Sequence, residues 1–81
     1  MKELEIKVKG IIDIINRLYD IDTIVSLSKI VRSNDLCFVN VDVEYKGILN
    51  NCEFTIVNDV FNETYFYIIN FISELKEVNN E

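Results

Sequence analysis

Residues 36–57 read LCFVNVDVEYKGILNNCEFTIV. Within them Cys37, Val39, Val41, Val43 and Tyr45 alternate with Phe38, Asn40, Asp42, Glu44 and Lys46. Successive side chains of a strand point to opposite faces, so an apolar, β-branched set recurring at every second position predicts a half-buried strand. Cys52, Phe54 and Ile56 alternate with Glu53, Thr55 and Val57 in the same way. Two such strands so close in sequence predict a hairpin. Asn50-Asn51 suits the turn, because Asn tolerates the positive φ that a two-residue turn demands. That turn would pair Leu49 with Cys52, Gly47 with Phe54 and Tyr45 with Ile56. A turn at Lys46-Gly47 is the alternative, and it keeps the same facing. Either way Asn40, Asp42, Glu44, Lys46, Glu53 and Thr55 look outward.

Residues 60 to 78 read as a helix, with Asn58 and Asp59 as cap candidates. Phe61, Tyr65, Ile68, Ile72 and Leu75 recur at three- and four-residue spacing and form its core stripe, while Tyr67, Phe71 and Val78 lie on a neighbouring stripe. Upstream, Leu4, Val8, Ile11, Ile12, Ile15 and Leu18 fit one amphipathic helix from about residue 2 to 20, although Leu4, Ile6 and Val8 also alternate as a strand ending at Gly10. Residues 23–32, TIVSLSKIVR, favour a strand through their β-branched content and join the hairpin through Ser33-Asn34-Asp35. A helix with Ile24, Leu27 and Val31 inward is the competing reading. The expected fold is α+β: an N-terminal helix, a three-stranded antiparallel meander, and a C-terminal helix packed on one sheet face. The Asn-Asn-Glu tail is expected to fray.

The 81 residues contain no Pro and no linker-like tract, so one small acidic domain spanning residues 1–81 is expected. A chain this short buries only about 60% of its unfolded surface. Its 49% hydrophobic content therefore needs either a dense core or a partner surface. Ile and Asn are abundant, a bias associated with AT-rich genomes, including those of many phages and mobile elements. No stretch is apolar for long enough to span a membrane, and Glu3, Glu5, Lys7 and Lys9 interrupt any secretory pattern. Cys37 and Cys52 fall on one face of the hairpin without being opposite each other, which predicts free, buried thiols in a reducing cytoplasm.

The net charge of −6 is unevenly placed. Residues 1–33 hold six basic and five acidic side chains; residues 34–81 hold two basic and nine acidic ones. A field of that sign repels phosphate and attracts basic surfaces. There is no His, so the commonest general base is absent along with Ser-His and Cys-His pairs. Gly10 and Gly47 are the only glycines, so no phosphate-cradling loop exists. Asp20-x-Asp22 and Asp42-x-Glu44 are tight carboxylate pairs, and calcium would require more oxygen ligands. Asp20 and Asp22 read better as residues that end one element and begin the next. No cofactor, metal or catalytic residue is expected.

The helix-meander-helix order resembles the layout of double-stranded-RNA-binding domains, whose function the charge contradicts. In size, acidity and layout the chain also resembles some small anti-CRISPR proteins. That resemblance implies a non-enzymatic inhibitor which imitates nucleic acid before a basic, nucleic-acid-handling protein. The contacts expected for such a partner are Asp42, Glu44 and Glu53, with Asp35, Asp59 and Glu63 as secondary candidates. Neither direct nucleic-acid binding nor membrane binding is expected. The alternative is a structural or regulatory homodimer that buries exposed apolar helix faces, with Tyr67 and Phe71 at its interface.

Overall fold

The computed structural model describes residues 2–79, which form α1 (Lys2–Leu18), β1 (Thr23–Ser33), β2 (Leu36–Tyr45), β3 (Ile48–Val57) and α2 (Thr64–Asn79). The strands make one open antiparallel sheet in the order β1-β2-β3. The expected α+β arrangement is therefore the observed one, while the fraying expected at the tail falls partly on residues 80–81, outside the described residues.

The first helix extends to Leu18, and no strand forms before Gly10. Leu4, Val8, Ile12 and Ile15 are its buried stripe, whereas Leu18 is exposed. A turn follows. The Asp20 carboxylate accepts the Asp22 N–H at 3.1 Å, and the Asp20 carbonyl accepts the Thr23 N–H at 3.1 Å, so these acids shape the entry to β1.

Strand β1 carries an irregularity between Leu27 and Lys29, a β-bulge centred on Ser28. Thr23, Val25 and Leu27 face the core before it and Ile30 after it, so one step of the inward pattern is three residues long. That step imitates helical spacing, which is why the segment also reads as a helix. Ile24 and Val31, inward in that helical reading, are exposed.

The tight turn of the β2–β3 hairpin is Lys46-Gly47, not Asn50-Asn51, with Tyr45 opposite Ile48 and Leu36 opposite Val57. Lys46 (φ 52°) and Gly47 (φ 80°) are both left-handed, the conformation that matches the twist of a two-residue hairpin. The physical reason is strand length. This turn keeps ten residue pairs in register, whereas a turn at Asn50-Asn51 would end β3 after six residues. Asn50 and Asn51 instead lie within β3, where their side-chain amides donate to the Ile48 carbonyl (3.1 Å) and the Asp42 carboxylate (3.3 Å). The inward set is unchanged: Cys37, Val39, Val41, Val43, Tyr45, Cys52, Phe54 and Ile56 are all buried. Cys37 stands opposite Ile56 and Cys52 opposite Val41, and both thiols are free.

The second helix begins at Thr64, four residues later than expected. Asn58 (φ 51°) and Asp59 (φ 58°) are left-handed and turn the chain out of β3, a conformation incompatible with capping a helix at residue 60. The Thr64 N–H donates to the Phe61 carbonyl at 3.0 Å, and Phe61, half-buried outside the helix, lies under the Lys7 ammonium at 4.9 Å. Ile68 and Ile72 are fully buried, with Tyr65 and Leu75 partly so.

α1 lies against β1, α2 lies against β2 and β3, and the helices touch each other, so one buried cluster joins all five elements on one side of the sheet. α1 is also held through a polar clamp. The Asn16 side-chain amide donates to the Val25 carbonyl and its oxygen accepts the Val25 N–H, both at 2.8 Å. Val25 lies on an edge strand, so Asn16 supplies the partner that a fourth strand would otherwise provide.

Val41→Asp should cost more than about 3 kcal/mol, because it leaves an uncompensated charge in the centre of a small core; denaturant titration checks this. Asn16→Ala should cost about 1–3 kcal/mol. Amide hydrogen exchange should then accelerate at Val25 more than at Val43, its neighbour on the interior strand.

Candidate functional site

Because both helices occupy one side, the other side of the sheet has no cover among the described residues. The register places its outward residues in rows across β1, β2 and β3: Ser33-Leu36-Val57, Val31-Phe38-Thr55, Lys29-Asn40-Glu53, Ser26-Asp42-Asn51 and Ile24-Glu44-Leu49. The face is therefore divided. Val31, Leu36, Phe38 and Val57 form a contiguous apolar block at one end, with Phe38 44% exposed. The middle is polar, and Ile24 and Leu49 flank Glu44 at the far end.

Asp42, Glu44 and Glu53 all lie on this face, as the alternation predicts. Asp42 and Glu44 are alternate residues of β2, about 6.6 Å apart along the strand. Glu53 is diagonal to Asp42 across the β2–β3 ladder, at about 7–8 Å. The array is not uniformly negative, because Lys29 stands in the same row as Glu53. Asp42 also accepts the Asn51 amide, which leaves Glu44 and Glu53 as its more open members.

The secondary candidates are not brought into that array. Asp59 is ion-paired to Arg32 at 2.5 Å, at the end of the sheet where α1 begins, and Glu3 and Lys7 line the same small hollow. Asp35 sits in the β1–β2 turn, its carbonyl accepting the Asn58 N–H at 2.8 Å. Glu63 lies beside the β3 edge and accepts the Tyr67 hydroxyl at 3.2 Å. Thus the six carboxylates occupy three places: the open face, the sheet end and the β3 edge.

Of the two aromatic candidates, Tyr67 lays its ring on Phe54 at 5.3 Å with 18° between planes, and Phe71 is partly buried against the core. Both make contacts inside the fold, and Tyr67 remains 43% exposed. The more exposed apolar side chains of α2 are Phe66 (60%) and Val78 (72%). The feature missed in the sequence is the apolar block of the open face. Its signal was present: Phe38 and Val57 occupy the outward phase of their own alternations.

No group of three or more potential metal ligands occurs among the described residues. Burial pushes both thiols up from their ordinary value, with Arg32 partly opposing this at Cys37 and Glu74 adding to it at Cys52. A buried thiol with a raised pKa is a poor nucleophile at neutral pH. No helix among the described residues is long and apolar enough to cross a membrane. No protein-family model, curated protein or solved structure matches the chain.

The thiols generate a pH prediction. Folding raises their pKa, so the unfolded chain loses its thiol protons first, and this contribution to stability falls as pH rises from about 9.0 toward the folded values. Native labelling by a thiol-directed reagent at pH 8 should be far slower than labelling in denaturant, and both thiols should become reactive together on unfolding.

Proposed function

We propose that the chain is a non-enzymatic interaction protein that presents its open sheet face to a protein with a basic surface. The observation that carries this reading is the uncovered face, where Asp42, Glu44 and Glu53 adjoin the exposed block of Val31, Leu36, Phe38 and Val57. A solvated sheet has no need of four adjacent apolar side chains, whereas a docking face does: apolar contact slows dissociation, and an acidic patch facing a basic one steers association. The sign of the field points to a partner that ordinarily holds nucleic acid. In the anti-CRISPR-like form of the proposal, a phage or mobile-element product works in the host cytoplasm and blocks such a nucleic-acid-handling protein by taking the place of its ligand. Lys29 narrows the mimicry: the face imitates a short patch of phosphates and not an extended track.

A homodimer through α2 is the second reading, supported by the exposure of Phe66 and Val78 and by the shallow hollow that Phe71, Glu74, Leu75 and Val78 line. It places the apolar contact on the opposite side of the molecule. Sedimentation equilibrium distinguishes the two: a dimer dissociated by Phe66→Glu with the fold intact would favour it.

For the leading reading, the measurement is capture of partners from the native host followed by binding kinetics. Asp42→Asn, Glu44→Gln and Glu53→Gln together should weaken binding while leaving the melting temperature nearly unchanged, since exposed like charges stabilise little. Phe38→Ser should mainly raise the off-rate. Binding should weaken with salt and be competed by duplex nucleic acid. Binding indifferent to all of these would refute the open-face reading.

A further inference from the structure

The two edges of the sheet are unequally defended. β1 is interrupted by the bulge at Ser28, carries Lys29 and Arg32, and has its Val25 backbone groups taken by Asn16. Bulges, cations and covered backbone are the devices by which sheets prevent strand addition. β3 has none of them. Its ten-residue register with β2 is unbroken, it contains neither Pro nor Lys nor Arg, and Glu53 is its only charged residue. In an antiparallel edge strand the N–H and C=O of every second residue point away from the sheet, so β3 offers a row of donors and acceptors, unclaimed among the described residues except at its end, where the Val57 carbonyl accepts the Val60 N–H at 3.0 Å.

Beside the C-terminal half of β3 runs a groove of about 200 Å³, walled by Thr55 and Val57 on the strand and by Val60, Glu63, Thr64 and Tyr67 from the turn and α2. The Tyr67 hydroxyl donates to the Glu63 carboxylate and so fixes it at the groove wall. Thr64 is 1% exposed, and its hydroxyl has no hydrogen-bond partner among the described residues, so the inner wall holds an unsatisfied polar group. None of the residues lining the groove is a cation.

We propose that this edge and groove receive an extended segment of another protein, added antiparallel or parallel to β3 as a fourth strand, with a Lys or Arg side chain reaching Glu63. Main-chain hydrogen bonds supply the affinity of such strand addition, and the groove supplies its selectivity. The charge favours a foreign basic segment over a second copy. Pairing β3 with β3 of another copy would join two chains of net charge −6 through strands without a cation. Pairing β3 with another copy's β1 would meet the defended edge and produce an open-ended array. The inference goes beyond the open-face reading because it concerns the rim of the sheet, and it survives if that face proves inert.

The test titrates a blocked hexapeptide of alternating Thr and Val with one central Arg into the isotope-labelled full chain. Amide shifts should be confined to β3 and residues 60–67, and alternate amides of β3 should gain exchange protection on peptide addition. Glu63→Gln, or Arg→Gln in the peptide, should weaken binding about tenfold by removing a charge-assisted hydrogen bond. Thr55→Lys, a cation placed on the edge, should weaken it at least as much. Asp42→Asn with Glu44→Gln should leave peptide affinity unchanged, which separates this proposal from the open-face reading. Shifts centred elsewhere, an Arg→Gln peptide that binds equally well, or unchanged exchange of the β3 amides would overturn it. So would concentration-dependent protection of the same amides without peptide, since the occupant would then be a second copy.

Discussion

Coverage is the constraint from which the rest of this structure follows. Two helices of 17 and 16 residues are each about 25 Å long and, lying side by side, can roof one face of a three-stranded sheet but not two. All deep burial is therefore concentrated between that roof and the inner phase of the strands, where Val8, Ile15, Val41, Val43, Ile68 and Ile72 are fully enclosed. A chain of this size has little stability to spare. Its polar economy fits that margin: one side-chain amide, Asn16, satisfies both backbone groups of Val25 and fastens α1 to the outermost strand. Tyr67, Lys76 and Phe61 seal the periphery through ring contacts, Lys76 lying 4.6 Å from the Tyr19 ring.

Period two is a strong signal wherever one face is buried, because a one-residue slip would invert every side chain. The facing of β2 and β3 was therefore legible although their turn was not. Asn50-Asn51 and Lys46-Gly47 differ by four residues, an even number, and so preserve the inward set while changing every partner. What chose between them was the total length of paired strand, a property of the whole sheet, together with Gly47, which takes a positive φ without strain. The bulge at Ser28 hid for a related reason: a three-residue step between Leu27 and Ile30 satisfies a bulged strand and a helix equally well. The start of α2 was misplaced because Asn58 and Asp59 fit two roles, helix cap and left-handed turn, and the exit from β3 required the second.

The candidate site divides along the same line. Asp42, Glu44 and Glu53 were identifiable because alternation alone sends them outward. Asp59 was not separable from them, since its partner Arg32 is distant in sequence and only the meander brings the two together. The apolar block of the open face was visible residue by residue but lacked meaning until the register set Val31 against Phe38 and Leu36 against Val57. An isolated exposed apolar side chain is ordinary surface; four in adjacent positions are not.

The arrangement of that face constrains any partner more tightly than its net charge does. The apolar block and the Asp42–Glu44 region are separated by roughly two alternate-residue steps along β2, about 13 Å. A surface that is merely basic could engage the acids but would leave Phe38 and Leu36 in water. A merely apolar one would bury Glu53 without compensation, at a cost exceeding what the apolar contact returns. Only a partner with an apolar ridge and a cation displaced from it by a comparable distance satisfies both ends, and Lys29 further requires that a polar or acidic group face the middle row. In the proposed docking, the division of the face would fix the orientation, with long-range charge governing approach and the apolar block governing residence.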